Sequence, residues 1–181
     1  MNTKIWIKAA WGAALLVCSS YFLSFAQGST PQLTDPEITS VAVTANQVDI
    51  DYARIALKKS HDAQIRNFAQ TMQRDHNSVI HQAVELVKKL HVTPQDNAVT
   101  QSLKKQETQT SRMLNAKTGK AFDQAYIENE VNYHKAVIHT VQDVLIPQAK
   151  NEELKALLQK VLPILQEHLQ HAEQIANTFH S

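Results

Sequence analysis

The chain has 181 residues, with 18 Lys and Arg against 17 Asp and Glu, a formal net charge of +1 with histidine neutral, a single cysteine and three glycines. No basic stripe marks a nucleic-acid surface, one cysteine permits no internal disulfide, and there is no phosphate loop, dinucleotide fingerprint or arrangement around a serine or cysteine nucleophile. The scarcity of glycine and the lack of alternating β-branched runs between turn residues point to an all-α chain.

Residues 1–26 have the layout of an export signal: Lys4 and Lys8, an apolar run from Ala9 to Leu23, then Ser24-Phe25-Ala26. Cleavage after Ala26 is expected to deliver a mature chain beginning at Gln27 to the periplasm or the exterior. The apolar run falls short of the ~20 residues a spanning helix needs, so no stable membrane span is expected after cleavage. Lipidation at Cys18 is disfavoured because Val17 stands where a small residue is required and Tyr21, Phe22 and Leu23 follow. Cleavage also removes Cys18, Trp6 and Trp11, and it leaves 16 basic residues against 17 acidic ones, a net charge of −1. The remaining chain, about 155 residues, is long enough to bury roughly 70% of its unfolded surface in one core.

After an irregular lead-in over 27–36, which holds Pro31 and Pro36, residues 37–181 read as one helical domain. Helix one is expected over Glu37 to Lys59, helix two over Asp62 to Leu90, helix three over Thr118 to Lys150 and helix four over Asn151 to Phe179. The short links within each pair force antiparallel hairpins. Between the pairs, His91 to Lys117 must cross over; Pro94 ends helix two and Val99 to Leu114 forms a shorter helix. An antiparallel four-helix bundle with one long crossover is the ferritin-like arrangement. Pro147 and Pro163 fall inside these helices, so kinks are expected, or an end to helix three near Ile146.

At 100° per residue, each long helix turns ionisable groups onto its apolar face. Helix one carries Asp49 among Val41, Ala45, Val48 and Tyr52, and helix two carries His76 among Phe68, Met72, Val79 and Ala83. Helix three carries Glu130 and His134 near the centre of a wide arc that includes Tyr126, Tyr133 and Val137, and helix four carries His168 among Leu158, Val161, Leu165 and Ala172. His81 and His139 point outward on the same wheels, so inward placement is selective. Folding helices three and four about Lys150 sets His168 level with residue 132, between Glu130 and His134. Folding helices one and two about Ser60 leaves His76 about 5 Å, one turn, from the level of Asp49. Asp75 lies 100° from His76 and faces a different way, as a flank residue that pairs with a neighbouring helix or near Arg74. The inward Tyr52, Tyr126 and Tyr133 read as core residues with satisfied hydroxyls.

Phe68-Ala69, Met72, Asp75-His76, Gly119, Phe122-Asp123, Ala125-Tyr126, His134, Leu162-Pro163 and His168-Leu169 resemble the bacterial domain of unknown function 4142 over nearly all of the mature chain. The resemblance implies a ferritin-like fold, export, and a tolerated proline at Pro163, but no activity. Where that family tends to have two glycines and a glutamate in helix one, this chain has Asn46, Gln47 and Asp49, a carboxylate kept but shortened. Two readings of the inward groups follow. In one, His76, His134 and His168 with Glu130 or Asp49 hold one transition metal ion, of iron, manganese, zinc or copper. The paired glutamates and Glu-x-x-His motifs of di-iron bundles are absent, since Gln73 precedes His76 and Leu165 precedes His168 by three. In the other, the same groups form a structural polar network in a non-enzymatic envelope module. Neither reading names a protein partner or an oligomeric state.

Overall fold

The computed structural model describes residues 31–180; the expected signal segment and cleavage site lie outside them. The described residues hold helices and no strand. Five long helices follow in order: α1 Asp35–Lys59, α2 Ala63–Leu90, α3 Ala98–Asn115, α4 Gly119–Thr140 and α5 Glu152–His180. None is long and apolar enough to cross a membrane.

Local chemistry sets the ends. The Asp62 carboxylate accepts from the backbone N–H of Gln64 and Ile65 and starts α2, and the Asn97 and Asn151 side chains do the same for α3 and α5. Helix α2 ends on His91 in the left-handed conformation, at φ 52°. Helix α1 begins two residues earlier than expected. Thr34 N–H donates to Glu37 Oε2 at 2.9 Å and Pro36 fits the first turn, where no N–H is required.

The segment before α1 is less free than an irregular lead-in suggests. Asp35 accepts from the N–H groups of Lys150 and Asn151, and Gln148 bonds the backbone of Leu33 and Pro31. The start of α1 is thereby pinned to the turn between α4 and α5. At the other end, Lys59 Nζ donates to Asn115 O and lies over the Phe122 ring. Helix α3 therefore runs alongside α1 in the same direction, with its start tied to α1 by Gln95 N–H donating to Pro36 O. Helix α1 packs on α2, α3 and α4, α4 packs on α5, and α2 packs on α5.

Pro147 acts differently from a simple kink or stop. Helix α4 passes into a π-helical turn over Val141–Leu145 and a last α-helical turn over Ile146–Gln148. Within it Ile146 N–H reaches back five residues to Val141 O, which widens the helix just before the residue that has no N–H to give and whose ring would press on the carbonyl four residues back. At Pro163, α5 continues without interruption, with the proline on its exposed side.

The core splits into two apolar clusters. One is aromatic and close-packed, with Tyr52, Phe68, Met72, Phe122 and Tyr126 almost wholly buried. The other is aliphatic, built on Val41, Val79, Leu145, Leu154, Leu158 and Val161.

Candidate metal centre

Between those clusters lies a polar layer. His76 falls between Met72 of the aromatic cluster and Val79 of the aliphatic one, His134 between Ile127 and Val141, and His168 between Leu165 and Ala172. Asp49 and Glu130 are 0% exposed, His134 1%, His76 4% and His168 5%, so water at the surface compensates none of them. The rings of the three histidines have centroids 5.3 to 5.8 Å apart.

Each histidine has one nitrogen held by an oxygen and the other left over. His76 Nδ1 lies 2.7 Å from Asn46 Oδ1. Asn46 Nδ2 donates to Ala42 O at 2.8 Å, which fixes the amide so that its oxygen faces the imidazole; His76 must then carry its proton on Nδ1. His134 Nδ1 lies 3.0 Å from Glu130 O, a carbonyl that only accepts, so its proton is also on Nδ1. His168 Nε2 donates to Asp75 Oδ2 at 3.1 Å, and Arg74 braces that same carboxylate. Among the described residues, His76 Nε2, His134 Nε2 and His168 Nδ1 have no hydrogen-bond partner, nor do the carboxylate oxygens of Asp49 and Glu130.

Asp49 is the hub. Its Oδ2 lies 3.1 Å from His76 Nε2 and 3.4 Å from His134 Nε2, in the range of an ion pair but without hydrogen-bond alignment. Glu130 Oε2 lies 3.7 Å from His134 Nδ1, on the side already engaged with the Glu130 carbonyl. His76, His134 and His168 each offer a ligand atom within 4.8 Å of the others, and Asp49, Glu130 and His134 do likewise. Donors about 2 Å from one ion stand roughly 3 to 4 Å from each other, so small side-chain movements close the set.

The electrostatics suit that chemistry at His134, His168 and Asp49, while at His76 they favour a proton that a metal would have to displace. Burial holds the His134 pKa down at about 4, and burial followed by the neighbouring His76 lowers that of His168, so both are neutral bases at neutral pH. Burial also opposes the Asp49 charge, but the surrounding imidazoles outweigh it and hold its pKa below the usual carboxylate value. For His76, burial lowers the pKa and the adjacent Asp49 carboxylate more than restores it. Glu130 moves the other way: burial, then the Asp49 charge, raises it well above the carboxylate range and keeps it protonated. The five inward residues read from the sequence thus fall into two overlapping groups, His76 with His134 and His168 and Asp49 with Glu130 and His134, which share His134.

Asn46 was not legible as a partner, and for Asp75 the flank position and a partner on a neighbouring helix or near Arg74 were expected, but not which residue. Asn46 supplies the oxygen that orients His76. Asp75 sits on the flank, as the helical wheel requires, and orients His168 across the α2–α5 contact rather than its own neighbour His76. The tyrosines divide: Tyr133 donates to Ala45 O at 2.8 Å, whereas the buried Tyr126 hydroxyl has no partner among the described residues, against the expectation of a satisfied hydroxyl.

A family model described as "Domain of unknown function (DUF4142)" matches residues 23–175. Among curated proteins none matches significantly. A solved structure, a DUF305 fragment from Deinococcus radiodurans, is similar with a TM-score of 0.68 at 12% identity, covering 82% of this chain and 99% of that one. At that identity the likeness concerns the fold alone.

Proposed function

The chain belongs to the DUF4142 domain family, whose description assigns no activity, and from the chemistry of its buried centre we propose that it is an exported metal-binding protein that holds one transition metal ion inside a ferritin-like four-helix bundle. His76, His134, His168 and Asp49 are the ligands. Glu130 stands behind His134 as a neutral acid, because its carboxyl faces the ring nitrogen that does not ligate.

The ferritin-like reading draws on the chain path. Helices α1, α2, α5 and α4 contact one another in turn, and the single long connection carries α3 back along α1, so that α4 runs parallel to α2. The export reading rests on residues 1–26 alone.

The observation that carries the metal reading is the orientation of the histidines. Three buried imidazoles each have one nitrogen tied to an oxygen, which fixes the ring and its tautomer, and leave a free nitrogen in the interior, those of His76 and His134 beside the ionised Asp49 carboxylate. Metal-binding histidines are held in this way by outer-sphere oxygens. Three imidazoles and a carboxylate, with no thiolate, suit iron, manganese, zinc or copper(II).

A structural network is the second reading, and the 3.1 Å approach of His76 to Asp49 favours it as a buried ion pair. Elemental analysis of the untagged protein, purified from the compartment that receives it, separates the two. About one equivalent of metal, lost in His134→Ala and Asp49→Asn but kept in Glu130→Gln, is expected. A metal-free protein whose melting temperature ignores added iron, manganese, zinc and copper would leave the network as the account.

A further inference from the structure

The aliphatic half of the core contains a cavity of about 720 Å³, within the size range of small-molecule sites. Its walls are aliphatic over most of their length, with Leu86 of α2, Val99 of α3 and Leu154, Leu158 and Val161 of α5. Its polar side chains run from Thr39 and Thr140 toward the α4–α5 turn to Lys117 and Glu128 toward the α3–α4 link. Asp49, His76 and His134 lie on its wall partway along, so the cavity passes the candidate metal ligands. Gln109 and Met113 of α3 and Asn132 of α4 line another stretch, and Met113 is 40% exposed, which places an opening between α3 and α4. The aromatic side of the polar layer contributes Tyr52 and, packed against that cluster, Ala125 and Tyr133.

We propose that this cavity binds a medium-chain aliphatic carboxylate, its chain against the α2, α3 and α5 walls and its carboxylate on the metal ion held by His76, His134, His168 and Asp49. Aliphatic walls of this length give ordered water too few hydrogen-bond partners, so they select an apolar occupant. The head group follows from charge. Three neutral imidazoles and one carboxylate leave a divalent ion with one unbalanced positive charge, which a monoanionic oxygen ligand cancels. The cavity reaches three of these ligands, Asp49, His76 and His134, directly.

The inference rests on the metal reading, so its test must separate the two. Cobalt(II), whose visible bands report its ligands, is loaded into the mature protein, and decanoate and acetate are titrated in turn. The expected result is a saturable change in the visible spectrum with both, with decanoate binding at least about tenfold more tightly because its methylenes are buried. Ala83→Leu and Val161→Phe, both on the cavity wall, should abolish that advantage while cobalt affinity and the response to acetate persist. Two fillings on different helices guard against a single folding failure. Cobalt uptake with no preference for decanoate, or a preference that survives both fillings, overturns the inference and leaves the metal site standing. No cobalt uptake overturns the metal reading and the head-group assignment together.

Discussion

Asp49, His76, Glu130, His134 and His168 lack what buried polar groups almost always have, a partner for each atom. The outer oxygens that hold the rings should therefore matter to an ion they never touch. Asn46→Gly and Asp75→Asn are expected to weaken metal binding about 10- to 100-fold while leaving the fold intact, read by competition with a chromophoric chelator. The metal-free protein offers a second check through pH. His134 binds no proton when folded until about pH 4 but binds one when unfolded below about 6.5, so its share of stability is lost as pH falls through that window. Glu130 has the opposite sign: its folded pKa is raised, so its share is full below about 4.5 and declines as pH rises. Denaturant melts of metal-free Glu130→Gln should thus exceed wild type by a margin that grows from pH 5 to pH 8. A margin independent of pH would mean that Glu130 is ionised in the fold.

The helices carry these groups because each is buried more broadly than a surface helix. Helix α1 is covered by α2, α3 and α4, which is why Thr39, Asn46 and Ile50 are buried beyond the one apolar stripe. The two halves of the core should respond oppositely to added volume. Ala69→Leu, in the close-packed aromatic half, should cost about 1 to 3 kcal/mol by overpacking, whereas Ala83→Leu points into the aliphatic cavity and should be neutral or stabilising. Thermal melts with equal losses for both would show that the cavity does not exist in solution. Leu158→Asp should prevent folding, because it sets an unpaired charge among aliphatic walls. His139→Ala, exposed and paired only with Asp143, should change stability by less than about 0.5 kcal/mol.

At the scale of the molecule, a metal bound at the buried centre would couple α1, α2, α4 and α5, since each gives at least one of the five side chains. Binding to the folded state alone should raise stability by about 2.7 kcal/mol at a free metal concentration of 100 times the Kd, seen as a concentration-dependent melting temperature. The mature chain should begin at Gln27, with an intact mass that lacks residues 1–26 and carries no lipid. Retention of that segment would place the protein at the membrane instead.

The helices, their order and the inward set of Asp49, His76, Glu130, His134 and His168 were legible in the sequence, because helical periodicity is local and a 100° step per residue fixes which side chains share a face. His81 and His139 fell outward by the same arithmetic. Register between helices is not local. The meeting of His76 with Asp49, which the hairpin geometry left about a turn apart, the pairing of Asp75 with His168, and the use of Asn46 to orient His76 depend on how whole helices slide and rotate against one another. The π-helical turn before Pro147 belongs here too, since the sequence marks a conflict at the proline and only packing selects how it is relieved. The cavity was the least legible feature. A stripe of leucines and valines reads the same whether its partners touch or stand apart, and the spacing between α2, α3 and α5 that leaves the space open is set by the tertiary structure alone.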